Sequence, residues 1–293
     1  MQKSYEKGIV LVSILIIVAM ISLVVNLMWQ QQALTLKNTA HSIDAQKAIS
    51  YLYGMESWVT SILKQDDDKI DELDEDWARI IPPIPVPNGI IEGKIFDLQA
   101  QFNINQLFYT ERKDRQVYIK AGYKDFLNIL NTTLDQDYMS DSILDHMNAS
   151  RPLLSKFEHI SQLKSVEGIS LENYLKIKPY LYAYENIKAK VNINTASKEV
   201  IAALYPDLVD KIIGDRPFES LANANQTILQ LPTGANSVEA KKKFTELVSI
   251  NSNYFLLKAD IDINGTHLQA QTLFHRQGKT INIVERTYRQ ILE

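Results

Sequence analysis

Residues 9–28 read IVLVSILIIVAMISLVVNLM, twenty positions without one charged side chain. As an α-helix such a run rises about 30 Å, the thickness of a bilayer's hydrocarbon core. Inside lipid a helix satisfies its own backbone polar groups, so a single membrane-spanning helix is the expected fold. The head that precedes it carries Lys3 and Lys7 against Glu6. That positive-inside bias holds the head in the cytoplasm and sends the C-terminal mass across. A cleaved secretory signal fits poorly, because its apolar region spans about 7–15 residues and ends at a small-residue site. Here the run passes into MWQQQALTLKNTAHSIDAQKAISYLYGMESWV, where Leu36, Ala40, Ile43 and Ala48 fall near helical spacing. The helix is therefore expected to continue as an amphipathic stalk over residues 29–64.

Gly8 closes the basic head just before the span, and this arrangement resembles the class III signal of type IV pilins. The resemblance implies that a membrane prepilin peptidase cuts between Gly8 and Ile9 and that Ile9 becomes the methylated N-terminus. The fifth mature position, normally glutamate in that family, is Ser13.

A chain of 293 residues with the anchor set aside leaves room for two modest domains. A formal charge of −4 gives no sign of a polyanion partner over the whole chain. With no cysteine, disulfides, thiolate nucleophiles and cysteine metal sites are excluded.

Beyond the stalk, residues 65–76 (QDDDKIDELDED) are strongly acidic. Mutual repulsion and hydration of the carboxylates favour a solvated linker. A calcium loop of the EF-hand kind is not supported, since its central glycine and final glutamate are missing. Residues 81–105 (IPPIPVPNGIIEGKIFDLQAQFNIN) begin with prolines that favour an extended lead-in. Asn88 and Gly89 then signal a turn, and Ile91, Gly93, Ile95 and Asp97 alternate as in an edge strand.

Near the C-terminus, Leu257, Ala259, Ile261 and Ile263 alternate with polar residues, a half-buried strand. Asn264 and Gly265 supply a tight hairpin, residues 267–275 return, and Gln277 and Gly278 turn the chain into residues 280–288. The expectation is a three-stranded antiparallel meander. Residues 114–246 are helical in pattern, with examples at 123–134, 140–147, 171–184 and 197–204. Strands that stop and resume around such a block predict an α+β fold with an inserted helical domain. The predicted organisation is leader 1–8, transmembrane helix 9–28, stalk 29–64, a small antiparallel β domain from 65–113 and 247–293, and an all-α insertion over 114–246.

Within the insertion, QLKSVEGIS at residues 162–170 places Gly168 in a turn between helices. VNINTA at 191–196 precedes a helix that Thr195 or Ser197 can cap. Both resemble parts of SAM-like or helix-hairpin-helix folds. Lys164 is offset by Glu167 and the chain is acidic, so interhelical packing explains Gly168 better than phosphate binding, and no nucleic-acid partner is expected.

FNIN at 102–105, RPL at 151–153, QLKSVEGI, VNINTA and the terminal meander occur in the order seen in the K-type minor pseudopilins of type II secretion systems, which the chain resembles over nearly its whole length. K-type subunits lack the pilin glutamate and are placed at the filament tip, where no subunit lies ahead to supply an amine partner. Ser13 fits that position. The resemblance implies a minor pseudopilin that caps a periplasmic pseudopilus and helps initiate its assembly. Its expected partners are I-type and J-type minor pseudopilins in a tip complex, the major pseudopilin, the prepilin peptidase and the inner membrane, in which it is single-pass with a periplasmic C-terminal part. The alternative is a minor pilin of a type IV pilus or competence system; a third reading is an unrelated signal-anchored binding protein.

Relatives of this kind carry a calcium loop in the helical domain, between a segment like 143–148 and the RPL stretch. Here Asp145 and Asn148 run directly into Arg151, so no metal or cofactor is expected, with Asp135, Asp137, Asp141 and Asp145 the residual candidates. His41, His146, His159, His267 and His275 sit in no nucleophile-elbow or metal-ligand spacing, and no catalytic constellation is expected.

Overall fold

The computed structural model describes residues 3–108, 129, 157–166, 169–184, 189–228 and 247–292. Helix α1 (Lys3–Gln65) runs unbroken for 63 residues, about 95 Å, through head, span and stalk. Its serines and threonines are accommodated by bonding to carbonyls one turn back, as Ser22 does to Val18 and Thr39 to Thr35 at 2.8 Å each. Every side chain from residue 10 to residue 40 is exposed. Leu36 and Ile43, expected on the buried face of the stalk, stay exposed; the buried stripe begins at Asp44 and continues through Ala48, Leu52, Met55, Val59 and Leu63.

That stripe lies on a five-stranded antiparallel sheet of order β1-β2-β7-β8-β9. Its strands are β1 (Ile84–Val86), β2 (Gly89–Asp97), β7 (Tyr254–Ile263), β8 (Thr266–Gln277) and β9 (Thr280–Leu292). The alternation expected for β7 holds: Leu257, Ala259, Ile261 and Ile263 are buried against α1. Asn264 and Gly265, at φ 51° and 79°, form the two-residue turn that pairs Ile263 with Thr266. The meander is extended by two strands on the β7 side. The proline-rich lead-in does not merely approach β2. It folds back as β1, so β2 is an inner strand, and Pro85 sits at the sheet edge where its missing N–H is tolerated.

The long connection between β2 and β7 contains two hydrophobic clusters. One gathers Phe102 and Ile104 with Phe157, Leu163, Ile177 and Leu181; the other gathers Val191 and Ile193 with Ile201, Leu204, Ile212 and Phe218. Among the described residues its helices are short: α2 (Leu171–Ile177), α3 (Lys198–Leu204), α4 (Val209–Gly214) and α5 (Leu221–Ile228), with Ser170 and Ser197 capping α2 and α3. The described part is not purely helical. Strand β3 (Phe102–Asn103) pairs in parallel with β4 (Leu181–Tyr182), and β5 (Val191–Asn192) with β6 (Val248–Ser249). The RPL stretch, Gly168 and the residual metal candidates Asp135, Asp137, Asp141 and Asp145 lie outside the described residues.

Candidate functional site

The two NIN motifs do the same job in the two clusters. In each, the first asparagine closes a local turn: Asn103 Oδ1 accepts from Asn105 N at 3.1 Å, and Asn192 Oδ1 from Asn194 N at 3.0 Å. The isoleucine between is fully buried. The second asparagine clasps the backbone of a distant phenylalanine at both polar groups. Asn105 accepts from Phe157 N and donates to Phe157 O, both at 2.8 Å. Asn194 does the same to Phe218, at 2.9 and 3.2 Å. An amide side chain presents one acceptor and two donors, so it can imitate a strand partner where the fold offers none. The sequence made the motifs visible; their clasping role depends on residues 24 and 52 positions away.

The second motif also reaches a buried polar joint between the insertion and the sheet. Asp97, at the end of β2, accepts from Thr195 Oγ1 at 2.5 Å, Ser252 Oγ at 2.6 Å, Asn192 Nδ2 at 3.3 Å and the Gln99 backbone at 2.8 Å. Ser252 N donates to Asp71 Oδ2 at 2.7 Å, and Arg276 of β8 bonds the same oxygen while its Nη1 reaches Asp66 Oδ2 at 3.0 Å. Asp71, Asn192 and Ser252 have no exposed surface and Arg276 has 1%. The joint thus runs from the end of α1 through β8 and the loop before β7 to β2 and the VNINTA segment. Burial pushes Asp71 up to about 7 against the pull of Arg276, and raises Asp97 despite its four donors.

These contacts revise the reading of residues 65–76 as a solvated linker. Asp71 is fully buried, its N donates to Ile250 O at 2.9 Å, and Asn251 Nδ2 donates to Asp68 O at 2.9 Å. Glu75 accepts from the Trp77 indole at 2.6 Å, and Trp77 packs edge-on against Phe255 at 5.1 Å. Burial pushes Glu75 up to about 7. Asp71, Ser252 and Arg276 were missed by sequence reasoning because their partners are remote. Asp97 left a signal: a carboxylate on the apolar face of an alternating strand.

Three of the histidines within the described residues have structural surroundings. His159 caps the 3₁₀ turn Ile160–Ser165, His275 stacks on Tyr254 at 4.5 Å, and His267 lies 3.2 Å from Asp262. Lys164 rests over the Tyr174 ring at 4.9 Å. Gly8, Ile9 and Ser13 all lie within α1, and Ser13 is exposed like the other residues from 10 to 28. Trp29, 76% exposed, follows the apolar run directly, where an aromatic anchor meets the headgroup region.

Residues 191–251, which hold VNINTA, Ser197 and β6, match the family model for protein K of the type II secretion system. Type II secretion system protein K of Aeromonas hydrophila is 23% identical over 95% of this chain and 95% of its own length. The protein K of Klebsiella pneumoniae is 24% identical over 97% and 96%. The solved GspK-GspI-GspJ complex of the enterotoxigenic Escherichia coli type 2 secretion system contains a chain of the same fold, with a TM-score of 0.70, 23% identity, and coverage of 86% of this chain and 99% of that one. With relatives matched end to end, a family segment on the polar joint and an apolar helix fit to anchor it in a membrane, the chain is similar to the protein K chains of type II secretion systems.

Proposed function

We propose that this protein is the minor pseudopilin at the tip of a type II secretion pseudopilus, where it initiates assembly and supports export across the outer membrane. The observation that carries this reading is the end-to-end similarity to curated protein K chains. The pilus or competence alternative is not favoured, since these relatives are secretion-system proteins. The role is structural rather than enzymatic.

In this reading residues 1–8 are a leader cut after Gly8, and Ile9 is the methylated N-terminus. Residues 9–28 hold the chain in the inner membrane, and residues 29–64 are a periplasmic stalk. Helix α1 with the sheet of β1, β2 and β7–β9 is the pseudopilin domain, and the insertion over 114–246, whose described part joins short helices to short strands, forms a head that needs room above it. The partners are I-type and J-type minor pseudopilins, by analogy with the complex in which GspK is found. The exposed apolar residues Leu34, Leu36 and Ile43 on the stalk suit helix-to-helix contact with such partners.

Co-expression of the full chain with the I-type and J-type subunits of its own system, followed by detergent extraction and affinity capture, tests the reading. One complex holding all three is expected, and a strain lacking this chain should lose secretion. Capture of neither subunit, with secretion intact in the deletion strain, would refute the assignment. Intact mass of the captured chain should correspond to a methylated Ile9 start, and Gly8→Ala should leave the leader attached.

A further inference from the structure

At the foot of α1 the acidic segment folds three carboxylates into one place. Single oxygens from Asp66, Asp71 and Glu75 all lie within 4.8 Å of one another. Among the described residues one guanidinium, that of Arg276, reaches the group, engaging Oδ2 of Asp66 and of Asp71, while Lys279 Nζ bonds the Asp66 backbone carbonyl beside it. Glu75 uses Oε2 for the Trp77 indole and the Glu72 backbone. The other oxygen of Asp71, Oδ1, is buried without a hydrogen-bond partner on a residue that has no exposed surface. A buried carboxylate oxygen lacking a donor requires a positive or protic partner.

Two further features agree. Helix α1 ends at Gln65, so its negative dipole end and last carbonyls face the same place. An open cavity of about 480 Å³ adjoins the group, lined by Asp66, Asp67, Asp74, Glu75 and Asp76, with Arg79 drawn aside into a pair with Asp76 at 2.7 Å. A cation therefore has an approach from solvent to carboxylates that stand behind it.

We propose that Asp66, Asp71 and Glu75 form a calcium site that clamps the end of the long helix to the β8 strand and the loop before β7. The ligands are all carboxylate oxygens, the preference of a hard divalent cation, and calcium at 2.3–2.6 Å from each ligand spans their separation. EF-hand spacing is absent, yet the loop fold brings the ligands together by another route. The site lies apart in sequence from the residual metal candidates of the insertion. It involves no residue between Asp135 and Asp145, and it does not depend on the proposed tip role. With three protein carboxylates and a nearby arginine, a dissociation constant on the order of 10⁻⁴ M is expected, the range of extracellular calcium modules.

The test uses the full chain in detergent micelles, stripped with chelator and returned to chelator-free buffer. Terbium serves as the calcium probe, with Trp77 beside Glu75 as the sensitising ring. A saturable luminescence that calcium displaces is expected, together with a calcium-dependent rise in the unfolding midpoint that chelator reverses. Glu75→Gln keeps an oxygen for Trp77 and should weaken calcium binding at least tenfold. Asp71→Asn should do the same where it folds, and Glu75→Gln decides the matter where it does not. Asp67→Asn, a neighbouring charge outside the ligand set, should change affinity less than about threefold. The proposal fails if calcium does not bind at millimolar concentration, if magnesium displaces terbium as well as calcium does, or if Glu75→Gln binds as tightly as the parent.

Discussion

Arg286 of β9 grips Glu56 of α1 at two points, Nε to Oε1 at 2.7 Å and Nη2 to Oε2 at 2.6 Å. Thr272 adds a hydroxyl bond to Oε1 at 2.6 Å, and the Tyr53 ring lies 4.8 Å from the guanidinium carbon. The pair ties the first element of the fold to its last strand across 230 positions of sequence. Glu56 is 3% exposed, so removing its partner strands a carboxylate in the core, while the 31% exposure of the arginine side chain softens the loss. Arg286→Met should cost about 2–3 kcal/mol in denaturant unfolding. Arg286→Lys should recover less than half of this, because an ammonium cannot reproduce the two-point grip. An unchanged midpoint for Arg286→Met would show that the pair adds nothing.

Three glycines should respond differently to alanine. A Cβ at Gly89 would stand 1.9 Å from the Asp262 carbonyl oxygen, a backbone atom that cannot yield without parting β2 from β7. Gly89→Ala should therefore cost about 3 kcal/mol. At Gly93 the obstacle is Met55 Cε at 2.3 Å, the mobile end of a flexible side chain, and the cost should be about 1 kcal/mol. Gly54 lies within α1 with nothing inside 4 Å of the added carbon, so Gly54→Ala should stabilise by about 0.5–1 kcal/mol. Thermal melts of the three variants should rank in that order, and a Gly89→Ala chain as stable as the parent would contradict the register described.

Each clasping asparagine should matter to its own hydrophobic cluster. Asn194→Ala leaves the Phe218 N–H and C=O without their partner in a buried setting, at a cost of about 2–3 kcal/mol. Asn105→Ala should do the same at Phe157. Hydrogen exchange should show the lost protection confined to the Phe218 amide region in one variant and the Phe157 region in the other. Loss spreading equally over both regions would mean that the two clusters unfold as one.

Local period and turn chemistry made much of this molecule legible. The span, the continuing helix and the β7–β8 hairpin follow from charge-free length, helical spacing and an Asn-Gly pair, all decided by residues within a few positions. Where the outcome turned on remote partners, the sequence was silent. Nothing in residues 81–87 distinguishes an extended lead-in from a strand, because the difference is whether β2 stands within reach. The acidic segment read as solvated because repulsion is local, while the compensating Arg276 lies 205 positions from Asp71. The start of the buried stripe at Asp44 was equally hidden, since apolar residues before it resemble those after it and only the sheet's extent divides them.

Stability should fall as pH rises through the titration of Asp97. Burial raises its folded pKa above the unfolded value of about 3.9, so the native state binds the proton more tightly than the unfolded chain. The stability this contributes is fully present below the unfolded pKa and is lost as pH climbs through the folded one. Denaturant midpoints of the parent and of Asp97→Asn, measured together from pH 4 upward, report on this group together with Asp71, whose carboxyl the Asp97 charge also pushes up. The difference should shift steadily against the parent with rising pH. A flat difference would mean that the four donors around Asp97 offset its burial, and a difference moving in the parent's favour that they outweigh it.

The tip position can be tested through Ser13. In a pilin-like shaft the glutamate at this place pairs with the N-terminal amine of the subunit ahead, and a subunit with none ahead gains nothing from it. Ser13→Glu would set a carboxylate four residues inside the span, where a charged side chain is costly, though less so than the about 2.5–3.5 kcal/mol of the helix centre on insertion scales. It could recover that cost only by recruiting a further subunit above it, which the bulk of the insertion should obstruct. Secretion in a complemented deletion strain should therefore be unchanged or reduced by Ser13→Glu, while Gly8 cleavage proceeds as before. Glutamate restored to a shaft subunit that lacks it should improve assembly under the same conditions. Secretion rising clearly above the parent with Ser13→Glu would place this chain within the shaft and overturn the tip assignment.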